Sequence, residues 1–552
     1  MRNLRQKNLQ TDVLIIGSGA AGIRAAIEAR RHGVNVLIVS KSPVGMANST
    51  AISLGGLRGS FTDTGEIGNP VIHFQETVSG GRFLNNQRLV QILANEGPSR
   101  ILELQKFDIP IQVRPSTAFV ISSRPPAGLT LTRKLLVYAR KVGVKTLGNV
   151  MVMELIKLGD TIVGALGIHL TTHNLLAISS KATVLATGGA GAIYQRTNNP
   201  TGITGDGYAL AYQVDANLTD MEFVQFLPMI AEVKILPVLI TDWFIGSIKR
   251  FDKNVLQNAV GESILERHGL LEETVFRDNL IIAIGKELHE GRGVDGSVLL
   301  DLTKIPKAAW KTSDQLRYVQ ELLIRSRINL SQKKLKIAPA AHFFMGGIKI
   351  HENCWTGIPG LFSAGESAGG FHGANRLGGN ALTQTLVSGA RAGENAAQYA
   401  KTSGAPCTFT SSIEEKGKEI DTYLNRKINL DCEPRRIKEE IKIVMYNYVG
   451  AVRSGRGLNR ALSALRQIRK EKLPKTYARN FSQLWDIFEL DNMLLIAEIV
   501  AQSALFRTES RGAHYRVDYP QKDDAKWMKN IIVSKENDRM IVSYEPVVIL
   551  NW

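Results

Sequence analysis

Cysteine is almost missing from this chain: Cys354, Cys407 and Cys432 are the only three in 552 residues, and none stand at CxxC spacing. That excludes a disulfide framework and any iron–sulfur or zinc site built from this chain alone. Long apolar runs are missing too. None approaches the ~20 residues of a membrane span. The opening MRNLRQKNLQ enters a strand-like segment with no signal-peptide core, so the expected setting is cytoplasmic, with membrane contact only through partners. Acidic residues are in deficit, 51 against 68 lysines and arginines, for a net charge of +17. The excess does not read as a nucleic-acid surface, because the bases are interleaved with acids, as Arg435, Arg436, Lys438 and Lys442 are with Glu439 and Glu440. A positive surface suits anionic substrates or an acidic partner.

Glycine is what the chain has in quantity, 50 residues against 18 prolines, gathered beside apolar runs as in backbone-tight ligand loops. TDVLIIG at 11–17 reads as a buried strand, AAGIRAAIEARRHG as a helix ending at Gly33, and VNVLIVS as a second strand, a β-α-β unit at the start of the chain. TVLATGG at 183–189 and GLFSAGE at 360–366 are further strands of what becomes a discontinuous nucleotide domain. The expected organisation is α/β: a Rossmann-like domain in two parts, 1–225 and 336–405, an inserted α+β cap at 226–335, a helical bundle at 406–515 and a tail at 516–552. Within the helical part, EPRRIKEEIKIVMYNYVGAVRSG, RALSALRQIRKEK and FSQLWDIFELDNMLLIAEIVAQSALFR are three long amphipathic candidates, and the tail reads as a loop and a surface hairpin.

In GSGAAG, Gly17, Gly19 and Gly22 follow a strand and open a helix with Ala20 and Ala21, so a pyrophosphate can sit on the helix N-terminus. The second strand ends in Ser40 and Lys41 where an acid would ordinarily bind a ribose of NAD, which argues against that cofactor.

VSKSPVGMANSTAISLGG, ATGGAGAIY, TGDGYALA, HFFMGGI, PGLFSAGES, HGANRLGGNAL and RTESRGAHYRVDYP resemble, in order, motifs of the succinate dehydrogenase and fumarate reductase flavoprotein family, of which L-aspartate oxidase is a close relative. The resemblance implies FAD, bound by the glycine turn, Ser40, Lys41, Ser49, Thr50, Gly55, Gly56, Ala186, Thr187, Gly188, Asp206, Glu366, Asn380, Ala381 and Leu382. Respiratory members carry a flavin-linking histidine one residue before the threonine of the flavin segment. Ser49 stands there, so a non-covalent FAD is implied. Arg376 and His342 match the family's carboxylate-binding pair, and Arg277 matches the arginine that exchanges a proton with the substrate carbon. A small carboxylate substrate is implied with them, and so is an iron–sulfur partner subunit.

The chain departs from the family in three places. Leu227 in VQFLPM replaces the histidine of QxHP, and ITDWFIGSIKRFDKN replaces a TEGxRGEG-like run, leaving Thr241 and Asp242 as substitutes for its threonine and acid. FVISSRPPAGL is shorter than the family's substrate loop, which leaves the mouth of the site open or closed by another subunit. Two alternatives are therefore kept, an L-aspartate-oxidase-like enzyme and a flavin electron-relay subunit.

Overall fold

The computed structural model describes residues 5–123, 126–231, 240, 242–271, 277–312, 314–325, 328, 334–404 and 410–550. Strands Gln6–Ile16 and Val36–Val39 run parallel with the helix Ala20–Arg31 between them, the first strand starting at Gln6 and not Thr11. Gly33, just past the helix, has φ 82° and supplies the left-handed turn into the second strand. Leu175–Leu185 flanks Gln6–Ile16 on the other side, parallel to it, giving the order Lys145–Leu147, Val36–Val39, Gln6–Ile16, Leu175–Leu185, Thr161–His169, Val150–Leu158. Leu175–Leu185 changes partner along its length. It pairs antiparallel with Gly164–Ile168 and then, from Thr183, parallel with Leu361–Ser363. That fork is where the chain rejoins the sheet after a long excursion.

The helix Asn380–Thr402 closes one face against Ala20–Arg31, nearly backbone to backbone. A Cβ at Gly389 would stand 2.6 Å from the Ala21 carbonyl oxygen, and one at Gly393 2.1 Å from that of Ala25. The excursion itself begins on Val224–Ile230 and returns on Leu335–Phe344, an antiparallel pair extended by Val298–Leu300 and Leu256–Gln257. Phe226 and Phe344 of this pair pack in the main core. Ile230 and Ile337, further out, join a separate core with Phe244, Leu280, Val298 and Leu316.

Four longer helices follow: Thr410–Asn425, Pro434–Tyr448, Gly455–Gln467 and Phe481–Phe506. The first is additional to the three expected, and its Ile413 and Ile420 pack on Met151, Ile156 and Leu166 of the sheet. Phe481–Phe506 is buried over a wider face than its sequence suggested. Leu490, Met493, Leu494, Ile496, Ala497, Ile499, Val500 and Ala501 are all buried, so apolar contact covers most of the helix and leaves only a narrow stripe at Asp491, Leu495, Glu498 and Gln502 less covered. Its buried Glu489 and Asn492 instead tie it to the sheet. Lys41 Nζ lies 2.6 Å from Asp206 Oδ2, 2.6 Å from Glu489 Oε1 and 3.0 Å from Thr204 Oγ1, while Asn492 donates to Asp206 Oδ1 at 2.9 Å. Lys438 reaches the other Glu489 oxygen at 2.6 Å. Breaking one member of a buried network leaves charge uncompensated, so Glu489→Gln should cost about 3–5 kcal/mol. The check is a lowered thermal unfolding midpoint.

The terminal hairpin, Lys529–Glu536 with Arg539–Pro546, turns through Asn537 and Asp538, both left-handed at φ 48° and 60°, as a two-residue primed turn requires. It is not merely laid on the surface, as the sequence pattern suggests. Its inner strand pairs with Leu218–Thr219 and buries Ile531 and Val533 completely. Among the described residues no helix is long and apolar enough to cross a membrane.

Candidate active site

The three glycines of the first turn are there for different reasons. A Cβ on Gly17, at φ 117°, would lie 2.1 Å from the Ala186 carbonyl oxygen, and one on Gly22 would lie 2.1 Å from that of Gly17. Both are required by packing alone. Gly19 has room, its nearest neighbour being Thr50 Oγ1 at 3.6 Å, yet it caps Ala20–Arg31 with no side chain and no side-chain hydrogen bond. A bare N-terminus with space in front of it is an anion site. Ala20 N–H donates to Thr50 Oγ1 at 3.3 Å, and Ser18 Oγ meets Ser40 Oγ at 2.8 Å. Asn48 Nδ2, in the same cleft, is buried with no protein partner. These features fit a dinucleotide: an open helix end for its pyrophosphate and a waiting donor beside it.

The other expected cofactor residues have varied roles. Ala186 continues the sheet, its N–H donating to Ile16 O at 2.8 Å, and Thr187 Oγ1 lies 3.3 Å from Ser367 Oγ. Ser367 Oγ also accepts from the N–H of Gly188, which has φ 81°. Gly55 at φ 80° packs against Ala127, and Gly56 pairs with Phe119, holding the 48–56 segment on the start of the helix Ala127–Lys141. Glu366 is buried and accepts from Phe344 N–H at 3.0 Å, and burial pushes its carboxyl up to about 7. Asn380 opens its helix behind Gly379, but its side chain is turned inward, bonded to His73 Nε2 at 2.8 Å and Thr77 Oγ1 at 2.9 Å. Only the backbone of Asn380, Ala381 and Leu382 is left to face a ligand; Leu382 packs in the core and Ala381 against a smaller apolar cluster. Lys41 and Asp206 serve the ion network already described.

The cationic residues meet beside the strand pair Val224–Ile230 and Leu335–Phe344. In the pairing of Val224–Ile230 with Leu335–Phe344, Gln225 lies opposite Phe343 and Phe226 opposite Ala341, so His342 is the unpaired residue of a β-bulge. A bulge re-aims the side chain it carries. Here Arg376 Nη2 donates to His342 Nε2 at 3.2 Å, which makes Nε2 the acceptor and leaves Nδ1–H to donate to Asn198 Oδ1 at 3.0 Å. Burial first, then Arg376 and Arg277, hold His342 well below the ordinary imidazole range, so the ring is neutral. Gln225 Oε1 accepts from Arg376 Nη2 at 2.9 Å and from Arg277 Nη1 at 3.5 Å. Its amide is fixed in turn, donating to Asn375 Oδ1 and Arg376 O. Arg376 also stacks over Phe343, 4.6 Å from the ring centre. Ser49 joins this cluster to the nucleotide end: its hydroxyl donates to Asn199 Oδ1 at 3.2 Å, and Asn199 donates to His342 O at 3.0 Å.

The structure thus brings Arg277, His342 and Arg376 together as expected, and adds Gln225, Asn198 and Asn199, which no sequence motif singled out. Gln225 was within sight as the first residue of the QxHP-like run. Leu227, two residues on and therefore on the same face of the strand, is buried but belongs to none of the apolar clusters among the described residues. Thr241 and the side chain of Asp242 lie outside the described residues.

An open helix end that packing does not explain, beside an orphaned amide, fits a dinucleotide, and the chain is an FAD-dependent oxidoreductase. Residues 12–382 match the family described as FAD binding domain, and residues 438–552 match Fumarate reductase flavoprotein C-term. The chain belongs to the fumarate reductase and succinate dehydrogenase flavoprotein family. It is 37% identical to an uncharacterised FAD-dependent oxidoreductase of Methanocaldococcus jannaschii, over 95% of this chain and 96% of that one. It is 34% identical to a subunit of the fumarate reductase (CoM/CoB) of Methanothermobacter marburgensis, over 97% and 98%. Among solved structures, Sdh1 of Mycobacterium smegmatis in complex with UQ1 matches with a TM-score of 0.87 at 29% identity, over 99% of this chain and 95% of that one.

Proposed function

We propose that this chain is the catalytic flavoprotein subunit of a redox complex, reducing a C=C bond beside a carboxylate or carrying out the reverse dehydrogenation, and exchanging electrons with an iron–sulfur subunit. The observation that carries this reading is the convergence of Arg376 and Arg277 on one Gln225 oxygen, with neutral His342 alongside. Arg376, stacked and buried, offers a planar fork to a substrate carboxylate, and His342 is held beside it by its bond to Asn198. Bound FAD would supply or accept two electrons as hydride at N5. Arg277 would serve the neighbouring carbon, which becomes basic enough as negative charge builds there to take a guanidinium proton. Leu227 removes one polar contact from the wall beside Gln225, which favours a substrate less charged at its far end than an ordinary dicarboxylate. The relay alternative has no use for a buried cationic cluster.

The cluster is assigned to a partner because Cys354 and Cys432 are buried in separate parts of the chain, and Cys407 lies outside the described residues. Ser49 offers no ring nitrogen for a link to flavin, so acid precipitation should release the flavin into the supernatant. Yellow colour retained in the pellet would refute non-covalent binding. The reaction is tested by reducing the flavin anaerobically and adding fumarate and related unsaturated acids. Rapid return of the oxidised flavin spectrum is expected with at least one, and no return with any of them would count against the reading.

A further inference from the structure

The hairpin strand Arg539–Pro546 is the outer edge of its four-stranded sheet, with Lys529–Glu536 on one side and no strand on the other among the described residues. Which of its backbone groups are spare follows from the turn. A two-residue turn makes Glu536 and Arg539 a hydrogen-bonded pair, and bonding alternates from there, so Met540, Val542 and Tyr544 point their N–H and C=O away from the hairpin. The neighbouring strand agrees. Ile531, opposite Tyr544, accepts from Asp220 N–H at 2.9 Å and donates to Asp220 Oδ1 at 3.1 Å, both on the side away from Tyr544.

Edges of this kind are ordinarily blunted by lysine, an internal proline or a bulge. This one has none of them: its register with Lys529–Glu536 is continuous over eight residue pairs, and Pro546 is its last residue. Met540 and Val542 pack on the main core, which leaves Arg539, Ile541, Ser543 and Glu545 on the other face, Ile541 being 37% exposed.

The strand is complementary to itself. Set antiparallel to a second copy with Val542 on the two-fold axis, it places the spare groups of Met540 opposite those of Tyr544, and those of Val542 opposite their own counterparts, so all three positions bond. The same register sets Arg539 opposite Glu545 at both ends, in the close positions where cross-strand side chains interact most, and brings the exposed Ile541 beside Ser543 and diagonal to its own copy. Lys349 holds Glu545 Oε2 at 2.5 Å, so that carboxylate is already fixed in place. A shift of one residue would set spare groups against bonded ones, and a shift of two would lose both Arg–Glu pairs.

We infer that the flavin-loaded chain forms a symmetric dimer by adding Arg539–Pro546 of one copy to the same strand of the other, joining the two four-stranded sheets into one. Main-chain bonds supply the attraction, and the Arg–Glu pairs select the register.

Sedimentation equilibrium of the flavin-loaded full chain, over a range of concentrations, should show a monomer–dimer equilibrium. Val542→Pro removes the N–H on the axis without touching a bond to Lys529–Glu536. It should raise the dimer dissociation constant by more than about 10²-fold, with flavin content unchanged. Should that variant fail to fold, Arg539→Glu, at an exposed position, sets Glu against Glu at both ends and should raise the constant about tenfold. Mixing it with Glu545→Lys should restore pairing between the unlike chains. Disulfide trapping reads the register: oxidised Val542→Cys should cross-link copy to copy, its Cα about 5.5 Å from its mate, whereas Ser543→Cys, which faces Ile541, should not. A particle holding one copy of this chain at every concentration overturns the proposal. So does a dimer indifferent to both Val542→Pro and Arg539→Glu, or trapping at Ser543→Cys and not at Val542→Cys.

Discussion

Arg277→Ala is expected to slow reoxidation of the reduced flavin by fumarate about 10³-fold, the middle of the range for losing a positioned general acid. The substitution removes one of the two guanidiniums on Gln225, while Arg376 keeps its own bonds to Gln225 and His342. Substrate should therefore still bind, and the loss should fall on kcat more than on KM. Flavin content should be unchanged, because Arg277 belongs to the cap helix and not to the glycine turn or the 48–56 segment. Arg277→Lys keeps a cation but not the planar fork, and should recover only part of the rate. Stopped-flow absorbance at the oxidised flavin band reads all three quantities. Equal rates for Arg277→Ala and wild type would remove this arginine from the reaction and with it the main argument for turnover.

Gly17→Ala should do its damage earlier, in folding and cofactor retention. The added methyl would meet the Ala186 carbonyl oxygen at 2.1 Å, and that oxygen belongs to the backbone just past the strand Leu175–Leu185 and has no rotamer to change. At φ 117° the residue is also in a region that side chains rarely adopt. The two effects together should cost more than about 4 kcal/mol, among the largest values for a single substitution. The purified variant should show little bound flavin and a strongly lowered melting temperature. Gly19→Ala is the contrasting case: its methyl has room, so the fold should survive while the ligand loses close approach to the helix end. Flavin content and melting temperature measured on both variants separate packing from binding.

Much of this was legible in the chain. The first β-α-β unit, the return of the sheet at 361–363 and the meeting of Arg277, His342 and Arg376 follow from local patterns and from motifs that stand intact. Element limits were less legible. Leu175–Leu185 runs well before the expected start at Thr183, because pairing with two different neighbours sustains residues whose own pattern is ambiguous. The burial of Glu489 and Asn492 in Phe481–Phe506 was not legible, because their partners Lys41 and Asp206 are more than 280 positions away in the chain. The inward turn of Asn380 toward His73 and Thr77 is equally long-range.

What the amino-acid order determined by itself was the kind of protein: periodicity and turn residues act between near neighbours, so the strand, glycine turn and helix could be read where they stand, and with them the dinucleotide site. Only the tertiary structure decided which glycine is free for a ligand and which is bound by packing, that a bulge aims His342 at Arg376, and that Gln225 holds both arginines. Those facts depend on strand register and on contacts between residues far apart in the chain. A one-residue change of register would turn Gln225 away from the site while leaving every local pattern as it is.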